Sequence, residues 1–253
     1  MNLNYVVEGS GETLVFIHGL SDSLLYWEFL ATNLKKDFQV LRMDLRGHGQ
    51  SELGSDEITL DVYVNDLANL LDELNISKAN LIGFSLGGAI ALDFAVRYPQ
   101  KVSSLVLMSS FYSCDDYLED VLNQFKNALS TSFEDFYDLI LPMVLCKDVI
   151  EENKEDLNML KEMASKTANM QAYIKAVDVC LSVDVEDELS EIDVSSLILA
   201  GKYDEISLLD KQRMLHEKIK KSELIVFDDA KHNLLVGKNN EKILRILNEF
   251  LKK

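Results

Sequence analysis

The sequence predicts an α/β fold: a mostly parallel sheet flanked by helices on both faces, with a helical insertion. Three observations lead there. Short apolar runs alternate with stretches of helical period over most of the chain. Several runs, such as Leu14-Val15-Phe16-Ile17 and Leu105-Val106-Leu107-Met108, are apolar at consecutive positions, as strands buried on both faces require. The alternation stops between residues 111 and 193, where only helix-like stretches occur.

Taken in order, strands are expected at 4–7, 13–17, 38–43, 79–83, 104–108, 196–200 and 223–227. Helices are expected near 24–35, 60–75, 86–97, 208–220 and 239–252. The clearest runs from Asp61 to Leu74, with Val64, Leu67, Leu70, Leu71 and Leu74 at helical spacing. Within 111–193 the helical stretches are 115–129, 133–146, 154–167 and 169–182. No Gly occurs between Gly88 and Gly201, and Pro142 is the one Pro after Pro99, which suits continuous helices. The segment leaves the sheet near Ser109 and returns at Val194. An insertion there lies over the carboxyl edge of the strands, where parallel sheets bind ligands. The expected organisation is a core of 1–110 with 194–253, and a helical cap of 111–193.

At 253 residues and 47% apolar composition, the chain can bury a sizeable core. Its net charge of −18 argues against nucleic acid or anionic membranes as partners, since both are polyanions. Most of that charge falls in 111–193, which holds 20 acidic against 6 basic residues. The acids form solvated outer faces of helices, or they repel anionic substrates; repulsion predicts that added salt relieves discrimination against a charged ester. Three Cys, at 114, 146 and 180, cannot form a disulfide framework and point to a reducing compartment. Met1-Asn2-Leu3-Asn4 has no signal-peptide character, and no apolar run approaches membrane-span length. The expectation is a cytoplasmic protein without membrane association.

The sharpest motif is Gly83-Phe84-Ser85-Leu86-Gly87, for which this composition predicts about 0.04 chance matches. It follows a strand and opens an apolar helix containing Ala89, Ile90, Leu92 and Phe94. That context is what a nucleophile elbow requires: a tight turn that lifts a hydroxyl above the sheet edge at a helix N-terminus. A Ser hydroxyl needs a base within hydrogen-bond reach, and a developing oxyanion needs fixed donors. No Cys/His cluster suggests zinc, and no phosphate-cradling Gly loop is present, so neither metal nor cofactor is expected.

With His18-Gly19 after a strand, Asp44-Leu45-Arg46-Gly47-His48-Gly49-Gln50-Ser51 after the next, the elbow, Gly201-Lys202-Tyr203-Asp204 and His232, the chain resembles the α/β-hydrolases. The likeness is to the small, cap-bearing carboxylesterase and enol-lactonase-like branch, over nearly the whole length. It implies a sheet of about seven strands with Asn4–Val7 near an edge, the chain opening at what is usually the second strand. It also implies Ser85 as nucleophile, His232 as base and Asp204 as the acid that orients the imidazole, with the amides of Leu20 and Leu86 as oxyanion donors. Glu205, Asp228 and Asp229 stay open as alternatives for the acid. His18 and His48 read as structural, and His216 as a helix residue. Phe84 and Trp27 are candidate walls of the substrate pocket. Ser85 stands where the dehalogenase and epoxide-hydrolase branches carry Asp, and Leu86 where the proline-iminopeptidase branch carries Trp. The implied activity is hydrolysis of a small to medium acyl ester or thioester. A carbon–carbon bond hydrolase or lyase using the same three residues, and a ligand receptor on the same fold, are the alternatives.

Overall fold

The computed structural model describes residues 2–55 and 57–253. Seven strands form one sheet: β1 (Tyr5–Gly9), β2 (Thr13–Ile17), β3 (Gln39–Met43), β4 (Ala79–Phe84), β5 (Val102–Met108), β6 (Ser195–Gly201) and β7 (Ser222–Phe227), in the spatial order β1-β3-β2-β4-β5-β6-β7. β1 pairs antiparallel to β3, with Tyr5 opposite Met43, and every other neighbour is parallel. The expected edge strand is therefore present. It alternates between exposed and half-buried residues, while β2 and β4 are buried throughout.

The period of two along each central strand divides the core into two layers. Leu14 and Phe16 of β2, Ile82 of β4 and Val106 of β5 face a layer closed by α1 (Glu28–Leu34) and α10 (Asn240–Leu251), where Leu30, Leu34, Ile243 and Leu247 are buried. Val15, Ile17, Leu81 and Leu105 face the other layer, closed by α2 (Leu60–Glu73), α3 (Leu86–Arg97) and α9 (Leu209–Lys218). Each such side chain, fully removed from water, contributes about 1.5–3 kcal/mol.

Between β5 and β6 lie α4 (Asp116–Thr131), α5 (Phe133–Val144), α6 (Lys147–Glu152), α7 (Lys154–Thr167) and α8 (Met170–Ser182). Three begin on side-chain caps: Asp115 accepts from the Leu118 amide, Ser132 from Asp135 and Asn169 from Ala172. α4 packs on α5 and α8 through Leu118, Phe125, Phe136, Ala172 and Ala176, which continue the second core layer. The chain entering and leaving this segment pairs briefly, the Cys114 amide bonding the Val183 carbonyl and the Val185 amide the Tyr112 carbonyl.

Two elements differ from expectation. The stretch 24–35 is a 3₁₀ turn, Leu24–Trp27, whose first amide donates to the Asp44 carboxylate at 2.7 Å and whose second is capped by the Ser23 hydroxyl, followed by α1. The helix expected over 133–146 ends at Val144. Pro142 lacks the amide that would sustain the last turn, Leu145 is extended (φ −125°, ψ 144°), and α6 follows. None of the described helices is long and apolar enough to cross a membrane.

Candidate active site

Ser85 joins β4 directly to α3 with φ 52° and ψ −117°. A non-glycine residue in this region costs about 1–3 kcal/mol and persists only where its surroundings enforce it. Here they do. The Ser85 amide donates to the Met108 carbonyl of β5 at 3.0 Å, and its carbonyl accepts from the Gly88 amide at 2.9 Å and the Ser110 hydroxyl at 3.2 Å. Gly87 lets the helix start against the end of β2, since a Cβ there would sit 2.1 Å from the Ile17 carbonyl oxygen. The hydroxyl of Ser85 is thereby held at the carboxyl end of the sheet, on a half-buried residue.

His232 lies on the loop after β7, with its ring centroid 5.1 Å from that of Phe84, the residue preceding Ser85. Its Nδ1 lies 3.0 and 2.9 Å from the two oxygens of Asp204, whose side chain is wholly buried. Asp204 is fixed in turn, because its Oδ1 accepts from the amides of Ile206 (2.8 Å) and Ser207 (2.9 Å). An imidazole that donates Nδ1–H to a carboxylate keeps Nε2 as an acceptor. The other candidate acids are occupied elsewhere: Glu205 pairs with Lys231, Asp228 with Lys202, and Asp229 accepts from Asn239. The structure thus brings His232 and Asp204 together beside the elbow.

Leu20 follows Gly19 on the loop after β2. A Cβ at Gly19 would lie 3.3 Å from the Ser85 Cβ, so this loop runs alongside the elbow. Among the described residues, neither the Leu20 nor the Leu86 amide donates a hydrogen bond. His18 explains the orientation of the first. Its Nε2 accepts from the Leu45 amide at 2.9 Å, so Nδ1 carries the proton and donates to the Gly19 carbonyl at 2.8 Å. With that carbonyl held, the trans peptide turns the Leu20 N–H the opposite way. The loop is anchored further by Asp44, whose oxygens accept from Leu24, Asn4 and Gln50 at 2.7–2.9 Å.

Burial holds His18 neutral, with its pKa lowered to about 4, and His48, 5.3 Å away and bonded to the Arg46 carbonyl, at about 3. Both fall below the unfolded value near 6.5. Below that pH the unfolded chain binds protons that the folded chain refuses, so this stability is present above pH 6.5 and is lost toward pH 4 and 3. Each proton is worth about 1.4 kcal/mol per pH unit. Denaturation midpoints at pH 7, 6 and 5 should therefore fall, and His48→Asn should remove about one proton from the slope. An unchanged slope would assign the acid sensitivity to other groups.

The candidate pocket residues separate. Phe84 stacks on Tyr26 at 4.6 Å and touches the His232 ring, so it belongs to the floor of the site. Trp27 does not line it: it is 0% exposed, packed against Phe16 at 5.0 Å in the layer under α1 and α10. The helical period that follows Ser23 turns the indole inward one residue after Tyr26 turns toward Phe84.

Sequence reasoning passed over Asp22 and Tyr26. Burial raises the Asp22 carboxyl to about pH 7, against a smaller opposing influence from His232; burial likewise raises the Tyr26 and Tyr173 phenols, and Asp22 adds to both. The available signal was position, since Asp22 stands two residues beyond Leu20. The inserted helices reach the same loops: Lys231 Nζ donates to the Pro142 carbonyl, the Asn233 amide to Val144 at 3.0 Å, and the Tyr117 hydroxyl to Glu205 at 2.8 Å. No cluster of three or more His, Cys, Asp or Glu able to hold a metal occurs among the described residues.

A strand-to-helix elbow bearing Ser, a buried His–carboxylate pair after the last strands, and this strand order define the class: the chain belongs to the alpha/beta hydrolase fold family, whose model matches residues 12–238. It is similar over 96% of its length to a pimeloyl-[acyl-carrier protein] methyl ester esterase of Aliivibrio fischeri, at 26% identity and 95% coverage of that protein. A shorter match, 36% identical over 104 residues, spans 41% of this chain and 30% of uncharacterized proteins from Mycobacterium tuberculosis. In fold it is similar to the enol-lactonase from Burkholderia xenovorans LB400 (TM-score 0.92, 23% identity, 99% and 96% coverage). It is likewise similar to a meta-cleavage product hydrolase from Pseudomonas fluorescens (TM-score 0.86, 22% identity, 99% and 94% coverage).

Proposed function

We propose that this protein is a serine hydrolase of small to medium acyl esters or thioesters. The observation that carries the reading is the His232–Asp204 pair beside a strained Ser85, with the Leu20 and Leu86 amides without acceptors among the described residues. His232 Nε2 takes the Ser85 proton as Oγ attacks the carbonyl carbon. The two amides hold the resulting oxyanion, a contact typically worth about 2.7–4 kcal/mol per donor. Collapse expels the alcohol or thiol, which leaves with the proton from His232. Water, deprotonated by the same nitrogen, then attacks the acyl-enzyme and releases the acid. Asp204 stabilises the transient imidazolium, Phe84 forms the floor beneath the acyl group, and residues 111–193 act as the cap that shapes its path.

A fluorophosphonate probe should label Ser85, as mapped by peptide mass, and a series of aryl esters and thioesters of rising acyl length should show a maximum at short to medium chains. Folded protein that is neither labelled nor active on any member would overturn the reading. Turnover of vinylogous diketones in preference to aryl esters would assign the same three residues to carbon–carbon bond hydrolysis.

A further inference from the structure

His232 meets Asp204 through Nδ1, which leaves the aim of Nε2 toward Ser85 to the backbone that carries the ring. That backbone is not held at His232 itself, whose amide and carbonyl bond no described residue. It is held at the residues on either side. The Asn233 amide donates to the Val144 carbonyl at 3.0 Å, and Lys231 Nζ donates to the Pro142 carbonyl at 2.6 Å. Both acceptors lie in the last turn of α5, where helix carbonyls have no partner within the helix. An ammonium is also favoured there by the negative end of the helix dipole. The same ammonium pairs with the Glu205 carboxylate, on the loop that carries Asp204.

Little else seats the insertion at this point. Among the described residues of α5 and α6, Phe133 and Phe136 are buried at the start of α5, and α6 buries no side chain. Leu145 is buried between the two helices, beside a cleft lined by Cys146, Val149, Val236 and Lys238. The other polar contacts across that cleft are longer. The Cys146 thiol lies 3.5 Å from the Asp229 carbonyl oxygen, and Lys238 lies 3.9 Å from Asp148 and 3.7 Å from Glu152. The Lys231 side chain is 18% exposed against 64% for Lys238, so its bonds are the ones shielded from water.

We propose that Lys231 is a positioning residue for the catalytic base: by gripping the end of α5 it fixes the peptide that carries His232, and with it the reach of Nε2 to the Ser85 hydroxyl. Consecutive Cα atoms stand about 3.8 Å apart, so seating residues 231 and 233 on one helix end leaves residue 232 no room to shift. Released at 231, the ring keeps its bond to Asp204 but pivots about it. A displacement of about 1 Å at a reacting group costs up to about 10²-fold in rate. The role rests on the serine-hydrolase reading, and it makes the docking of α5 a condition for proton transfer.

The test follows kcat and KM for p-nitrophenyl acetate from about pH 5.5 to pH 9, together with the rate of fluorophosphonate labelling. In Lys231→Met the high-pH plateau of kcat and the labelling rate should both fall about tenfold or more, with KM within about twofold of wild type. Lys231→Arg still offers donors to the Pro142 carbonyl and should recover to within about threefold. Glu205→Gln removes the ion pair but leaves the Pro142 bond, and should also stay within about threefold. The plateau separates position from charge, because a purely electrostatic influence of Lys231 on His232 slides the profile along the pH axis and keeps its height. Should Lys231→Met not fold, Lys231→Gln, uncharged and a bond shorter, takes its place with the same expected fall. An intact plateau in the folded variant, a fall that Lys231→Arg does not restore, or an equal fall in Glu205→Gln would overturn the proposal and leave the hydrolase reading standing. Wild-type protein that is neither labelled nor active on any aryl ester would overturn both.

Discussion

Ser85→Ala should lose all covalent labelling by fluorophosphonates and lower ester turnover by about 10⁴-fold or more, while the protein stays folded. The size follows from its place at the head of the reaction: without the hydroxyl no acyl-enzyme forms, and His232 and Asp204 have no proton to move. The residue that remains in such sites is binding and oxyanion stabilisation, which accelerate attack by water directly. Folding should be spared because alanine meets the same backbone constraint at φ 52° as serine does, and the bonds that enforce it run through the Ser85 amide and carbonyl, not its hydroxyl. A melting temperature within a few degrees of wild type, with unlabelled and inactive protein, is the expected pair of results. Retention of more than a hundredth of the wild-type rate would place the nucleophile elsewhere.

Much of this site was legible in the chain because each of its parts is a local device. The elbow needs Gly at the position facing the Ile17 carbonyl, and Gly87 is there in the sequence for that reason. His232 and Asp204 follow buried strands whose apolar runs announce them, so their order could be read without knowing their separation. The rival acids could not be dismissed in the same way. Glu205, Asp228 and Asp229 are excluded by ion pairs and hydrogen bonds to Lys231, Lys202 and Asn239, contacts that exist only once the loops are folded together. Trp27 and Tyr26 show the same limit at one-residue resolution. Both are aromatic and adjacent, and the turn set by Asp44 on the Leu24 amide decides which faces the site. Asp22 was hidden for a further reason. Its raised carboxyl comes from burial within the folded loops, with His232 opposing it from more than a hundred residues away in sequence, and an acid in a polar loop otherwise reads as solvated.

The role of Asp204 makes the second large prediction, and its surroundings sharpen it. In Asp204→Asn the side chain can present either its oxygen or its NH₂ group toward the amides of Ile206 and Ser207. Those amides are donors at 2.8 and 2.9 Å, so the oxygen must stay there and the NH₂ must turn toward His232 Nδ1. Nδ1 then accepts, the ring proton moves to Nε2, and the nitrogen that should receive the Ser85 proton already holds one. The expected outcome is a loss of about 10⁴ in kcat, the magnitude such an exchange produces in a Ser-His-Asp site, with little change in KM. Glu205→Gln, Asp228→Asn and Asp229→Asn serve as controls, because none of these three contacts the imidazole. A drop of less than tenfold in Asp204→Asn, or an equal drop in one of the controls, would move the orienting role away from Asp204. The stringency comes from two backbone amides that hold the asparagine oxygen at the Oδ1 position and so put its NH₂ at the Oδ2 position, 2.9 Å from His232 Nδ1.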